Sequence, residues 1–132
     1  LIVDRRAALI ALAGLAGGAA SLGRLSPAAA QANGPQLIMF DEPGCPWCRR
    51  WRADVGPAYT NSAEGKRAPL RVIDIRAPLP KGITFSGPIR GTPTFVLVEN
   101  NREVGRIFGY PGADFWWGML GDLMKKLKGN GA

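Results

Sequence analysis

From residue 33 onward, short apolar runs alternate with clusters of Gly, Pro, Asp and Asn. Leu37-Ile38-Met39-Phe40 is the first run and predicts a buried strand. Asp41-Glu42-Pro43-Gly44 breaks it. Arg49–Val55 has helical composition, and Trp51, Val55 and Tyr59, spaced by four, mark the face that turns to a core. Gly56-Pro57 should kink or end that helix. Leu70–Ile75 alternates and predicts a second strand. Ala77–Gly91 holds Pro78, Pro80, Gly82, Gly87 and Pro88 and reads as mostly loop. Thr94–Val98 predicts a third strand, Glu99-Asn100-Asn101-Arg102 a hairpin turn, and Glu103–Phe108 a fourth strand. Gly109-Tyr110-Pro111-Gly112 breaks the chain again. Asp114 is then the expected N-cap of a last helix through about Leu127, with Lys125, Lys126 and Lys128 favourably placed at its C-terminus. The order is β-α-β-loop-β-β-α, an α/β pattern.

Residues 1–32 follow another pattern. Arg5 and Arg6 precede an apolar Ala/Gly/Leu-rich run from Ala7 to Ala20, and Ala30-Gln31-Ala32 fits an A-x-A cleavage signal. This is the three-part arrangement of a secretory signal peptide. The run is shorter than the roughly 20 residues a spanning helix needs. The expectation is an exported protein with its leader over 1–32 and one domain over 33–132. An uncleaved N-terminal anchor or an ordinary amphipathic helix is the alternative. A twin-arginine signal fits the surroundings of Arg5-Arg6 poorly.

Composition narrows the chemistry. The chain has 132 residues, 17 Lys+Arg, 10 Asp+Glu, two Cys and no His. Without His there is no Ser-His-Asp or Cys-His nucleophile system and no His-ligated zinc or haem. Two cysteines cannot supply a four-thiolate metal site or a multi-disulfide framework. The formal net charge is +7 for the whole chain. It falls to +5 for residues 33–132, which keep 14 basic and 9 acidic residues. The basic residues are scattered and no nucleic-acid module is visible, so no nucleic-acid partner is expected and the charge reads as a solvated basic surface.

The sharp signal is Cys45-Pro46-Trp47-Cys48 ahead of the first helix. Pro46 suits a first helical turn, where its missing N–H costs nothing. A helix N-terminus favours the thiolate, the reactive form of Cys. Three residues apart, the two thiols lie on one face and can form and release a disulfide. Three readings of the pair stand: a redox dithiol, a static disulfide, and a copper(I) site with Met39 as a further ligand. A static bridge would close so short a loop that it stabilises little.

The segments LIMFDEPGCPWCRRW and GTPTFVLVENNREVGRIFGY, in this order with a C-terminal helix after them, resemble the thioredoxin superfamily over most of residues 36–128. The subgroup they are most similar to is the exported bacterial thioredoxin-like proteins. Some of these are linked to disulfide exchange, cytochrome maturation or sulfur oxidation. The resemblance implies a minimal thioredoxin-like fold: a four-stranded mixed sheet flanked by helices. It implies Cys45 as the attacking thiol and Cys48 as the resolving one. Pro93 would be a cis-proline facing the disulfide, with Thr92 before it in a segment that pairs with substrate backbone. Pro46 and Trp47 would tune the potential, and Trp47 would contact substrate. The implied activity is a periplasmic thiol:disulfide oxidoreductase acting on protein disulfides or dithiols, more as a reductant. Electrons would come from a membrane-bound donor, the chain would be a monomer, and no cofactor is expected.

Three departures qualify the resemblance. Met39 stands where thioredoxins proper carry a buried Asp, six residues before the first Cys. Asp41 and Glu42 are the substitutes at hand, both expected in an exposed turn. The family's extra N-terminal strand and helix have no room between residue 33 and the first strand. The Pro/Gly-rich 77–91 stretch is a poor match to the central helix. Gly109–Asp114 is weakly similar to a glutathione site, which keeps a glutaredoxin-like enzyme among the alternatives. Of the remaining tryptophans, Trp51 is expected in the core. Trp116 and Trp117 are adjacent and cannot share one face.

Overall fold

In a computed structural model the described residues are 17–18 and 33–129. The expected leader falls outside them apart from Gly17 and Gly18. Among the described residues four strands and four helices follow one another: β1 (Gln36–Asp41), α1 (Pro46–Asp54), α2 (Gly56–Asn61), α3 (Ala63–Arg67), β2 (Leu70–Asp74), β3 (Thr94–Glu99), β4 (Arg102–Phe108) and α4 (Ala113–Met124). The strands form one mixed sheet in the order β2-β1-β3-β4. β1 runs parallel to β2 and antiparallel to β3, and β3 runs antiparallel to β4. The apolar runs of β1 and β3 therefore occupy the two central positions, buried on both faces.

Strand alternation sends Leu37, Met39, Phe95 and Leu97 to one face of the sheet, where the helices pack. Trp51 from α1 and Trp116 from α4 meet there over Phe95. The ring centroids are 4.9 Å apart for Trp51–Phe95, 5.2 Å for Phe95–Trp116 and 5.3 Å for Trp51–Trp116. Val55 and Tyr59 are fully buried in the same cluster, so the four-residue spacing of 51, 55 and 59 does mark the core face. Ile38, Phe40, Val96 and Val98 point to the opposite face and pack against Ile83, Phe85 and Ile89 of the 77–91 loop.

The structure corrects several boundaries. Gly56-Pro57 ends α1 as the sequence predicts, and it also opens α2, because Pro57 lacks the N–H needed to continue a helix but fits a first turn. Asp114 is not the N-cap of the last helix. Gly112 is, at φ +110°, a conformation that disfavours side chains, and no side chain caps this end. α4 ends at Met124, so Lys126 and Lys128 lie beyond it. Asp41 is the last residue of β1 rather than part of an exposed turn. The hairpin turn holds Asn100 and Asn101 at φ +52° and +61°, as a tight β3–β4 connection requires.

Candidate functional site

β1 delivers the chain to the edge of the helix layer, and a turn at Pro43-Gly44, with Gly44 at φ +83°, swings it into α1. Cys45 is the N-cap of α1 and Pro46 its first residue. The cap is made by sulfur: the Cys48 N–H donates to Cys45 Sγ at 3.1 Å. Cys45 and Cys48 form a disulfide, with their Cα atoms 5.3 Å apart. Cys48 is fully buried and Cys45 is 7% exposed. Between them Trp47 is 53% exposed. A thiolate at Cys45 would keep the Cys48 N–H as a charge-assisted donor at the positive end of a helix.

The segment before β3 lies against this turn. The Thr92–Pro93 bond is cis. The Thr92 hydroxyl donates to Glu42 Oε1 at 2.8 Å, which ties the 91–93 loop to the turn that presents Cys45. The Gly109 N–H donates to the Pro93 carbonyl at 2.8 Å, and the Thr94 hydroxyl to the Gly91 carbonyl at 2.6 Å. The four residues singled out around the cysteines thus fall on two neighbouring segments: Pro46 and Trp47 exposed on the first turn of α1, Thr92 half-buried and Pro93 buried at the start of β3.

Two open depressions flank the head of α1, one beside Trp47 and one lined by Cys45. One, of about 270 Å³, lies between Trp47, Arg50, Tyr110 and Pro111. Behind it Tyr110 donates to Asp54 Oδ2 at 3.0 Å. Burial, and after it the Asp54 carboxylate, push the Tyr110 hydroxyl up to about 12, so it stays a donor at neutral pH. The other, of about 400 Å³, is lined by Cys45 with Asp41, Glu42, Arg49, Arg52 and Asp74. Asp41 pairs with Arg52, and Asp74 with Arg76 at 2.6 Å. The Arg76 side chain, then its backbone N–H, hold Asp74 down to about 2.

Sequence reasoning missed the Tyr110–Asp54 and Thr92–Glu42 links, which join residues 56 and 50 positions apart. It also misplaced Asp41. The two-residue period of Leu37 and Met39 was the signal that could have put Asp41 on the helix-bearing face. Among the described residues no helix is long and apolar enough to cross a membrane, and no group of three or more Cys, Asp and Glu side chains is placed to hold a metal ion.

No family model and no curated protein matches the chain. Solved structures do. The periplasmic thioredoxin SoxS from Paracoccus pantotrophus, in its reduced form, is 44% identical; the match covers 70% of this chain and 97% of SoxS at a TM-score of 0.68. The Malassezia sympodialis thioredoxin Mala s 13 is 16% identical over 68% of this chain and 77% of its own, at a TM-score of 0.48. With its four-stranded mixed sheet, a C-x-x-C disulfide at the head of α1 and this degree of identity across nearly all of SoxS, the chain belongs to the thioredoxin superfamily.

Proposed function

We propose that the protein is a periplasmic thiol:disulfide oxidoreductase that exchanges disulfides with protein substrates through Cys45 and Cys48, working as a reductant. The observation that carries this reading is the asymmetric pair at the head of α1. Cys45 caps the helix, 7% exposed and lining an open depression, and Cys48 is fully buried one turn deeper and bonded to it. In the reducing direction the Cys45 thiolate attacks a substrate disulfide and a mixed disulfide forms. Cys48 then attacks Cys45, restoring the Cys45–Cys48 bond and freeing the reduced substrate.

Trp47 and Pro46 offer the exposed surface beside the attacking sulfur, and Thr92 and Pro93 the facing segment that receives substrate backbone. Residues 1–32 act as a cleaved leader and 33–132 as the working domain, a monomer. The likeness to a periplasmic thioredoxin supports the compartment. The periplasm is kept oxidising, so a reductant there needs an upstream supply of electrons, which a membrane-bound donor would provide.

The equilibrium reduction potential of the Cys45–Cys48 pair in residues 33–132, followed by thiol alkylation in defined thiol/disulfide buffers, tests the direction. A value near about −270 mV is expected for a reductant. A value near about −120 mV would make the protein a disulfide donor instead.

A further inference from the structure

β2 is an edge strand: it pairs with β1 and, among the described residues, with nothing on its other side. Two bonds at its ends fix which backbone groups point where. The Leu37 N–H donates to the Pro69 carbonyl at 3.1 Å, and the Ile75 N–H to the Asp41 carbonyl at 2.8 Å. Each inward residue of a parallel ladder turns both its groups to the partner strand, and inward and outward residues alternate. Pro69, Arg71, Ile73 and Ile75 therefore face β1, and Leu70, Val72 and Asp74 turn their N–H and C=O groups outward. The Asp74 carbonyl is taken by the Ala77 N–H at 2.9 Å, while the groups of Leu70 and Val72 meet no partner among the described residues. Such an edge is a template for a further strand. Its side chains leave it open too, with Val72 49% exposed and Arg71 exposed beside it. The edge also runs into the site. Val72 and Asp74 line the depression of about 400 Å³ together with Cys45, Arg49 and Arg52. Arg52 and Arg76 are paired with Asp41 and Asp74, whereas Arg49 and Arg71 join no ion pair among the described residues.

We propose that the outer edge of β2 docks the protein substrate. An extended segment of alternating acidic and apolar residues, next to the substrate disulfide, pairs with Leu70 and Val72 and enters the depression at Cys45. The inference rests on the exchange reading above and names its substrate class. Backbone bonds to Leu70 and Val72 supply affinity, and the side chains flanking them supply selectivity. Arg71 and Val72 point to opposite faces of the sheet, so successive residues of the incoming strand meet them in turn. An acidic side chain lies beside Arg71 and an apolar one beside Val72. Arg49, in the depression, receives a further acidic side chain close to the reacting sulfurs. β3, which follows Thr92 and Pro93, flanks β1 on the side opposite β2, so this edge takes a stretch of substrate other than the one facing Pro93. A second copy of the chain is a poor occupant, because residues 33–132 carry 14 basic against 9 acidic residues and two copies repel.

The test uses the protein expressed from residue 1, purified as the host leaves it and reduced. One probe is the disulfide-linked dimer of a short peptide with alternating Glu and Val on both sides of its Cys; the other has Lys for Glu. Single-turnover release of peptide thiol gives a rate constant for each. The Glu peptide should react roughly tenfold faster than the Lys peptide at low salt, and the ratio should shrink as salt rises. Arg71→Glu should bring the ratio to about one or below. Arg102→Glu, the same charge change at an exposed residue of β4, should move it by less than about twofold. Amide hydrogen exchange reads the pairing itself, in Cys48→Ser free and trapped as its mixed disulfide with the Glu peptide. The outward Leu70 and Val72 amides should exchange fast in the free protein and at least about tenfold more slowly in the adduct. A wild-type ratio near one, an Arg102→Glu loss equal to that of Arg71→Glu, or amides that exchange alike in both forms overturns the proposal and leaves the exchange reading intact. Protection already present in the free protein and growing with its concentration puts a second copy on the edge and also overturns the proposal. No adduct with either peptide or with insulin overturns the exchange reading, and the proposal with it.

Discussion

Two tryptophans one helical turn apart show how position decides what a side chain does. Trp47 is 53% exposed on the first turn of α1, and Trp51 is 1% exposed between Phe95 and Trp116. Trp51→Ala should lower unfolding free energy by about 3–5 kcal/mol in denaturant titration. Trp47→Ala should change it by less than about 0.5 kcal/mol while weakening protein-substrate reduction. Equal losses of stability would contradict this division. The cysteines were legible in sequence because their chemistry is local: a helix start and a spacing of three. The partners that fix the surrounding loops were not, since Glu42 finds Thr92, and Asp54 finds Tyr110, only through the tertiary fold.

Among the elements, β1 and β3 were readable as continuous apolar runs because they are buried on both faces. The ends of α4 were not. A side-chain cap at Asp114 looks sound in sequence, but the positive φ of Gly112 sets the helix start two residues earlier. Beyond α4 the chain is held by Glu99, the last residue of β3, which accepts the N–H groups of Lys128 and Gly129 at 2.8 and 2.9 Å. Those two backbone bonds lower the Glu99 pKa. A lowered carboxyl pKa in the fold means the tether is fully present above the ordinary carboxylate range and is lost as pH falls through the lowered value. Hydrogen exchange, corrected for intrinsic rates, should show Lys128 and Gly129 protected near neutrality and released in acid. Glu99→Gln should release them at neutral pH as well. Protection that is the same in acid and at neutrality would contradict the tether.

At the scale of the molecule, the helices and the aromatic cluster hold one face of the sheet, and the 77–91 loop covers the other with Ile83, Phe85 and Ile89. Sequence reasoning anticipated that loop from its Pro and Gly content, and the four-stranded mixed sheet from the resemblance together with the order of apolar runs. Which residues covered which face was beyond it, because packing partners far apart in the chain leave no periodic trace. The proposed leader belongs to this scale too. Expressed from residue 1 in a bacterial host with a periplasm, the protein should be recovered from that compartment with Asn33 at its N-terminus. Cytoplasmic protein that retains residues 1–32 would contradict export.

In the proposed exchange Cys45 attacks and Cys48 resolves. Trapping tests this most directly: Cys48→Ser and Cys45→Ser, each reduced, are mixed with a disulfide-bonded protein such as insulin and analysed without reductant. Cys48→Ser should accumulate a covalent adduct that dithiothreitol releases, because nothing is left to attack Cys45, whereas Cys45→Ser should form none. No adduct with Cys48→Ser, or an equal adduct with Cys45→Ser, would contradict the assignment of roles.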